Sequence, residues 1–137
     1  MLNIELNLGA NIKKCLFEFS MSEKYNLNWH TFKSHTSELL SDLYSSSNFS
    51  DVTLVCDDQT QFKAHKFVLS ACSSIFKNIL STNVTSPFIY LRGIAKDEME
   101  AILQFMYLGE ATFHQDRLNE FMNVAKELDL KKSLIHS

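Results

Sequence analysis

The sequence predicts an α+β domain, in which short strands are mixed with amphipathic helices. Apolar residues alternate with polar ones over short stretches, as they do in strands that bury one face. Between these stretches the apolar residues recur at helical spacing and form a stripe along one side of each predicted helix. The elements lack the regular βαβ rhythm of a parallel sheet, and this mixed order favours the α+β class over the α/β class.

Length and composition indicate one compact domain. The chain has 137 residues, of which 45% are hydrophobic and 21% charged, with three Gly and one Pro. These values are typical of a folded domain and not of a disordered chain. The net charge is −3 and the Lys and Arg residues are scattered, so we expect no nucleic-acid binding by this domain alone. No apolar run approaches the roughly 20 residues that span a bilayer, so we expect no membrane segment.

Patterns that would indicate catalysis or metal binding are missing from the sequence. Cys15, Cys56 and Cys72 are odd in number and far apart, which favours reduced thiols in an intracellular protein. The five His residues include no pair at i and i+4, so we expect no metal site. His65 and Cys72 have no residue to orient them as a thiol–imidazole pair, so core packing is the favoured interpretation. A glycine-rich phosphate loop is also missing, and we therefore expect neither a cofactor nor an enzyme.

Residues 1–20 differ from the rest of the chain. Leu2, Ile4, Leu6 and Leu8 alternate like a short strand, and Met21-Ser22 resembles a start of translation. We therefore expect residues 1–20 to be a leader of alternative or non-native origin, ahead of a domain at residues 21–137. Pairing of the leader as an extra strand is the less favoured alternative.

The domain begins with a predicted strand and a predicted helix. Tyr25, Leu27 and Trp29 alternate with two asparagines, as in a strand with one buried face. No partner strand is evident nearby, so we expect this strand to pair with a distant segment or with another chain. From Phe32 the spacing becomes helical, and the stripe of this helix consists of Leu39, Leu40, Leu43 and Tyr44, before a polar stretch at residues 45–48 ends it.

The middle of the chain predicts a β-hairpin, two short helices and a further strand. Residues 52–56 and 61–64 alternate on either side of an Asp-rich turn. The first short helix covers residues 65–72, and Ser73-Ser74 can cap the second, which continues to Leu80. Pro87 precedes the apolar strand candidate at residues 88–91.

Two longer helices are predicted in the last part of the chain. The first of these helices begins at residues 96–98, which place two acidic residues at the positive N-terminal end of the helix dipole. Gly109 ends this helix. Residues 111–113 are a strand candidate. Asp116 is expected to cap the final helix, whose stripe runs from Leu118 to Leu128, and a turn at residues 131–136 follows.

Three motifs resemble those of the BTB/POZ domain family. They are Ser50–Leu54 (SDVTL), Phe62–Ser73 (FKAHKFVLSACS) and Phe105–Glu110 (FMYLGE), in the family's order and at its spacing. The resemblance extends from about Tyr25 to Leu134.

The opening segment Tyr25–His30 (YNLNWH) is further similar to the first motif of the Tramtrack-type group, which is found in insect transcription regulators. It departs from that motif at Tyr25, Asn28 and His30, where Phe, Arg and Asn are usual.

The resemblance implies a cluster of helices flanked by short strands, and an obligate dimer in which the first strand and helix exchange between protomers. It implies a dimer and oligomer interface formed by Tyr25, Leu27, Trp29, Phe32, Leu39, Leu40 and Leu43. It also implies a buried structural role for His65, and a charged groove at the dimer interface with Asp51 and Lys66. A merely structural ion pair between Asp51 and Lys66 is an equally weighted alternative.

As a function, the resemblance implies homodimerisation of a nuclear transcription regulator whose DNA-binding part lies beyond the domain. Assemblies larger than the dimer, such as a hexamer, are associated with the Tramtrack-type group. Other BTB proteins and transcriptional cofactors are the further partners that it implies.

Two other functions of such domains compete with this interpretation. One is a substrate adaptor of a cullin-type ubiquitin ligase, but the loop Ser81–Pro87 lacks the hydrophobic-x-Glu pattern of many adaptors, and no helical extension follows Leu134. The other is a tetramerising channel domain, whose opening region differs from this one.

Overall fold

The structure, a computed structural model, describes residues 5–8, 11–13 and 24–131. Cys15 and most of the turn predicted at residues 131–136 lie outside these residues. The chain divides into two compact units, residues 1–39 and 40–137. Within the described ranges, no helix has the length and apolar character needed to cross a membrane.

The first unit contains a three-stranded antiparallel sheet with the order β2-β1-β3. Its strands are β1 (Glu5–Leu8), β2 (Asn11–Lys13) and β3 (Asn26–Asn28). Leu6 of β1 is opposite Leu27 of β3. Strand β3 thus pairs with a segment that is distant in the chain, and the less favoured alternative for the leader, pairing as an extra strand, describes the fold. The alternating Leu residues of the leader match the alternation in β3, and pairing satisfies the backbone groups of one β3 edge.

Helix α1 spans Phe32–Ser46 and ends at the polar stretch that the sequence indicated. After it, Ser47 and Phe49 adopt positive φ angles of 57° and 62° and turn the chain towards the next strand. The predicted helix is confirmed.

The second unit contains a mixed sheet with the order β5-β4-β6, formed by β4 (Val52–Val55), β5 (Gln61–Ala64) and β6 (Phe88–Tyr90). Strands β4 and β5 form the predicted antiparallel hairpin, with Leu54 opposite Phe62. In its turn, the Asp58 carboxylate accepts a hydrogen bond from the Thr60 N–H at 3.1 Å. Strand β6 runs parallel to β4, because the segment between β5 and β6 carries the chain back to the same end of the sheet.

The helices of the second unit are α2 (Lys66–Cys72), α3 (Ser74–Leu80), α4 (Lys96–Leu108) and α5 (Leu118–Glu127). The Ser73 hydroxyl accepts the Phe76 N–H at 3.2 Å and caps α3, as the sequence indicates. Gly109 ends α4 with a φ of 75°, a conformation that glycine adopts without a steric cost. Both predictions are confirmed.

Two predictions in the last part of the chain are wrong. Residues 111–113 pair with no strand in the described part of the chain, and the Thr112 N–H instead donates to the Gln104 side chain at 3.2 Å. Asp116 does not cap α5, because it lies inside a 3₁₀ turn, Gln115–Arg117, that precedes the helix. In that turn the Leu118 N–H bonds the Gln115 carbonyl, so a backbone oxygen takes a donor that an Asp116 cap would have taken.

The core of the second unit lies between its sheet and its helices. All four residues of β4 are buried, and the predicted stripe of α4 faces inward. The side chains that are fully buried include Leu54, Leu69, Phe76, Met99 and Ile102. Leu40, Leu43 and Tyr44 from the end of α1 pack against this core.

Candidate interaction site

Helix α1 carries apolar side chains that the protomer does not bury completely. None of its residues is fully buried, and Phe32 and Leu39 expose 55% and 50% of their surface. Leu40 and Leu43 are half-buried against the core of the second unit. An amphipathic helix of a monomeric domain normally buries its apolar stripe, so α1 presents surface that suits a partner.

The strand β3 and the residues after it hold the other predicted interface residues. Leu27 is 50% exposed, while Tyr25 and Trp29 are half-buried. The Trp29 ring packs edge-on against Phe32, with 5.4 Å between ring centroids, and its indole N–H donates to the Thr31 hydroxyl at 2.9 Å. Trp29 and Phe32 therefore form one local aromatic pair next to the β3 edge.

Asp51 and Lys66 are brought together, but the Asp51 carboxylate does not contact the Lys66 ammonium group. Asp51 Oδ1 accepts a hydrogen bond from the backbone N–H of Lys66 at 2.7 Å and so satisfies a free donor at the start of α2. The Lys66 ammonium group donates instead to the Val84 carbonyl at 2.7 Å. Between these two described side chains no direct ion pair forms, and the charged groove stays a prediction.

His65 is buried in a closed hydrogen-bond network. Its Nε2 lies 2.6 Å from the Asn48 carbonyl oxygen, which can only accept, so Nε2 carries the ring proton. Nδ1 then accepts from the Tyr107 hydroxyl at 2.6 Å, and the same hydroxyl oxygen accepts the His65 backbone N–H at 2.9 Å. Burial raises the pKa of Tyr107 to about 12, which keeps this hydroxyl protonated as a donor. The network ties the start of α2 to α4.

The described cysteines lie in surroundings that favour the neutral thiol. Burial raises the pKa of Cys56 to about 11 and also raises the pKa of Cys72. Cys72 Sγ lies 4.0 Å from the Met106 carbonyl, whereas the His65 ring bonds Tyr107 and Asn48. A neutral thiol is a poor nucleophile, so this geometry supports the packing role that the sequence favours for Cys72 and His65.

A buried carboxylate was missed by the sequence reasoning. Glu98 is 5% exposed and pairs with Arg117, and this hydrogen bond raises the pKa of the Arg117 guanidinium above its ordinary value. The pair lines a cleft of about 440 Å³ beside α4, together with Tyr44 and Phe113. No local pattern could have revealed a partner 19 positions away in the chain. Across residues 24–131, no His, Cys, Asp or Glu side chains cluster in threes to hold a metal ion.

Several exposed apolar side chains of the second unit were also missed. Phe67 and Tyr90 are largely exposed although both lie in apolar runs that predict a helix and a strand, and Phe49 is largely exposed as well. Phe67 lies on the outer side of α2, and Tyr90 lies on the outer face of β6. Burial of such residues depends on which face a neighbouring element covers, so a sequence pattern alone does not reveal it.

Comparisons with known proteins agree on one family. A model of the BTB/POZ domain family matches residues 40–136. The chain is similar to Longitudinals lacking protein-like of Drosophila melanogaster, at 39% identity over 82% of this chain and 88% of that protein. It is also similar to two longer proteins of the same organism, Protein tramtrack, alpha isoform, at 35% identity and Zinc finger protein chinmo at 37%.

The match covers 80% of this chain in both longer proteins, but only 14% of tramtrack and 18% of chinmo. Among solved structures, the chain resembles the BTB domain of zebrafish PATZ1, with a TM-score of 0.70 and 26% identity over 82% of this chain and 92% of that one. The sequence and the structure comparisons thus each cover most of the chain and agree on the family.

Proposed function

Because this chain belongs to the BTB/POZ domain family, we propose that it is the self-association module of a nuclear transcription regulator and pairs copies of the protein that carries it. The family's fold is a protein–protein interaction fold. The first partner of this chain is a second copy of itself. We expect no catalytic activity and no cofactor.

The exposed apolar side chains of helix α1 are the main support for the proposal. The 15 residues of this helix include none that is fully buried, although its sequence is amphipathic. Phe32 and Leu39 are half-exposed apolar side chains on this helix, and burying them against a second copy would remove them from water. A symmetric dimer uses the same patch twice, so each such side chain contributes two contacts.

Open strand edges support an exchange of strands between copies. In the order β2-β1-β3, strand β3 is at the edge of its sheet, so one row of its backbone groups is available for pairing. Residues 111–113 have the composition of a strand but pair with none in the described part of the chain. We propose that β3 of one copy pairs with residues 111–113 of the other, which would bring α1 of each copy into the shared interface.

We further propose that the dimers form larger assemblies and bind other proteins. Leu27 and Trp29 lie at or next to the open edge of β3, where they could join dimers into a hexamer or another multimer. The groove with Asp51 and Lys66 is proposed as a contact for other BTB proteins and transcriptional cofactors. The name of one relative, Zinc finger protein chinmo, supports a regulator whose DNA-binding part is separate from this domain.

The test measures oligomeric state by gel filtration with light scattering. A monomer has a mass of 15.8 kDa, and we expect wild-type protein at micromolar concentration to have at least twice that mass. The test variant is Phe32→Gln with Leu39→Gln. The matched control is Leu118→Gln, because Leu118 is a 45% exposed leucine on another helix, α5.

The size of the effect follows from the exposed area that remains to be buried. Burying a whole Phe or Leu side chain is worth about 1.5 to 3 kcal/mol, so the exposed half of each is worth roughly half of that. Two residues in each of two copies then contribute about 3 to 6 kcal/mol, which weakens dimerisation roughly a hundredfold to ten-thousandfold. A wild-type monomer, or equal loss of the dimer in the Leu118 control, would contradict the proposal.

A further inference from the structure

The loop between α3 and β6 carries a serine that is followed directly by the one proline of the chain. Residues 81–86 are all exposed, and Ser86 precedes Pro87. The hydroxyls of Ser81 and Thr82 bond the carbonyls of Asn78 and Ile79. The Ser86 hydroxyl, in contrast, makes no hydrogen bond to any other residue that the structure describes.

The backbone at Ser86 has a conformation that favours opening of the loop. Its φ angle is 48°, in the left-handed region that serine rarely adopts, although a residue before proline prefers an extended backbone. When the loop opens to an extended strand, Ser86 returns to the conformation that its sequence favours. An extended, accessible segment is what the active site of a protein kinase binds as substrate.

Two lysine ammonium groups flank this serine. On the N-terminal side, Lys66 Nζ donates to the carbonyl of Val84 at 2.7 Å. On the C-terminal side, Lys63 Nζ donates to the Thr53 hydroxyl at 3.0 Å and lies 5.8 Å from the centroid of the Phe88 ring. Val84 and Phe88 are each two positions from Ser86, which an extended chain covers in about 7 Å. Both flexible lysine side chains can therefore reach a phosphate on Ser86.

We propose that Ser86 is a phosphorylation site for a proline-directed serine kinase, and that Lys66 and Lys63 hold the phosphate that results. In the transfer, the Ser86 Oγ attacks the γ-phosphorus of Mg·ATP, the bond from that phosphorus to the β-phosphate oxygen breaks, and ADP leaves. The hydroxyl proton passes to the catalytic base of the kinase. The product carries a charge of about −1.5 to −2 and three strong acceptor oxygens.

With the phosphate in place, the Lys66 ammonium group would bond a charged partner instead of the neutral Val84 carbonyl. Hydrogen bonds between an ammonium group and a phosphate are shorter and stronger than those to a peptide carbonyl. Asp51, which bonds the Lys66 backbone N–H, is an acidic side chain close to this lysine and opposes the phosphate, but two ammonium groups act against this one carboxylate. Phosphorylation would thereby fix the loop against α2 and the β4–β5 hairpin.

The first experiment treats the folded full chain with Mg·ATP and a proline-directed kinase and locates the phosphate by mass spectrometry. We expect phosphate on Ser86 in wild type and in Thr85→Ala, which removes the adjacent hydroxyl that no proline follows. Incorporation should be lost in Ser86→Ala and in Pro87→Ala. Phosphorylation of the urea-unfolded chain but not of the folded chain would overturn the proposal, because the loop would then be closed to the kinase.

The second experiment tests the lysines by a ³¹P NMR titration of the phosphorylated chain. A free phosphoserine loses its second proton at a pKa of about 6. Nearby ammonium groups favour the dianion, so this pKa should be lower by roughly half a unit in wild type than in Lys66→Met. Lys63→Met should give a similar rise. Equal phosphate pKa values in wild type and both variants would refute the role of the lysines.

Discussion

Removing one hydroxyl from the His65 network should cost the domain much of its stability. In Tyr107→Phe, His65 Nδ1 loses the donor that lies 2.6 Å away, and the His65 backbone N–H loses its acceptor at 2.9 Å. Both groups are buried, since His65 and Tyr107 expose only 7% and 5% of their surfaces. The ring itself remains, so packing around it changes little.

The magnitude follows from these two groups. Each buried polar group that is left without a partner costs about 1 to 3 kcal/mol, so the variant should lose about 2 to 6 kcal/mol of unfolding free energy. For a domain of this size the melting temperature should fall by at least about 6 °C. Because dissociation of an oligomer also changes the melting temperature, all variants must be compared at one protein concentration.

The matched control is Tyr44→Phe. Tyr44 is half-buried, its ring lies 5.7 Å from the Tyr107 ring between centroids, and its hydroxyl bonds no residue of the described chain. The same chemical change should therefore alter the unfolding free energy by no more than about 0.5 kcal/mol. Urea denaturation followed by circular dichroism measures both variants. If Tyr107→Phe were as stable as Tyr44→Phe, the assigned network would be wrong.

Four further predictions follow from charge, capping, strand exposure and burial. The isolated domain should bind a random DNA duplex only weakly at physiological salt, since its net charge is −3; low-micromolar binding in fluorescence anisotropy that weakens steeply with salt would contradict this. Asp51→Ala should lower the unfolding free energy by about 1 kcal/mol, the usual size of a lost helix cap, and not by the roughly 3 kcal/mol of a broken buried ion pair; an unchanged melting temperature would argue against the cap. Polar replacement of Leu27 and Trp29 should dissolve assemblies above the dimer first, and light scattering identical to wild type would exclude this strand from assembly. The raised pKa of Cys56 contributes stability that is complete below the ordinary value of 9.0 and is lost as pH rises towards about 11; urea midpoints measured over this range should fall less in Cys56→Ala than in wild type.

The features that the sequence predicts correctly depend on neighbours along the chain. The β4–β5 hairpin follows from two alternating runs on either side of the turn at Asp58. The Ser73 cap and the Gly109 stop are formed with residues three or four positions away. The inward stripe of α4 follows from helical spacing alone. Each of these features depends on residues that are close to one another along the chain, so the sequence pattern is sufficient to predict it.

The features that only the tertiary structure decides join residues that are far apart in the chain. Strand β1 pairs with β3 across the residues between them, and the strand-like residues 111–113 find no ladder within the described chain. Tyr107 closes the His65 network across 42 positions, and Lys66 meets the Asp51 carboxylate with its backbone N–H and not with its charge. Hydrophobic spacing specifies which side of an element turns inward, but it carries no information on which distant polar group lies opposite. That choice is made when the elements pack, because every buried donor and acceptor must then find a partner.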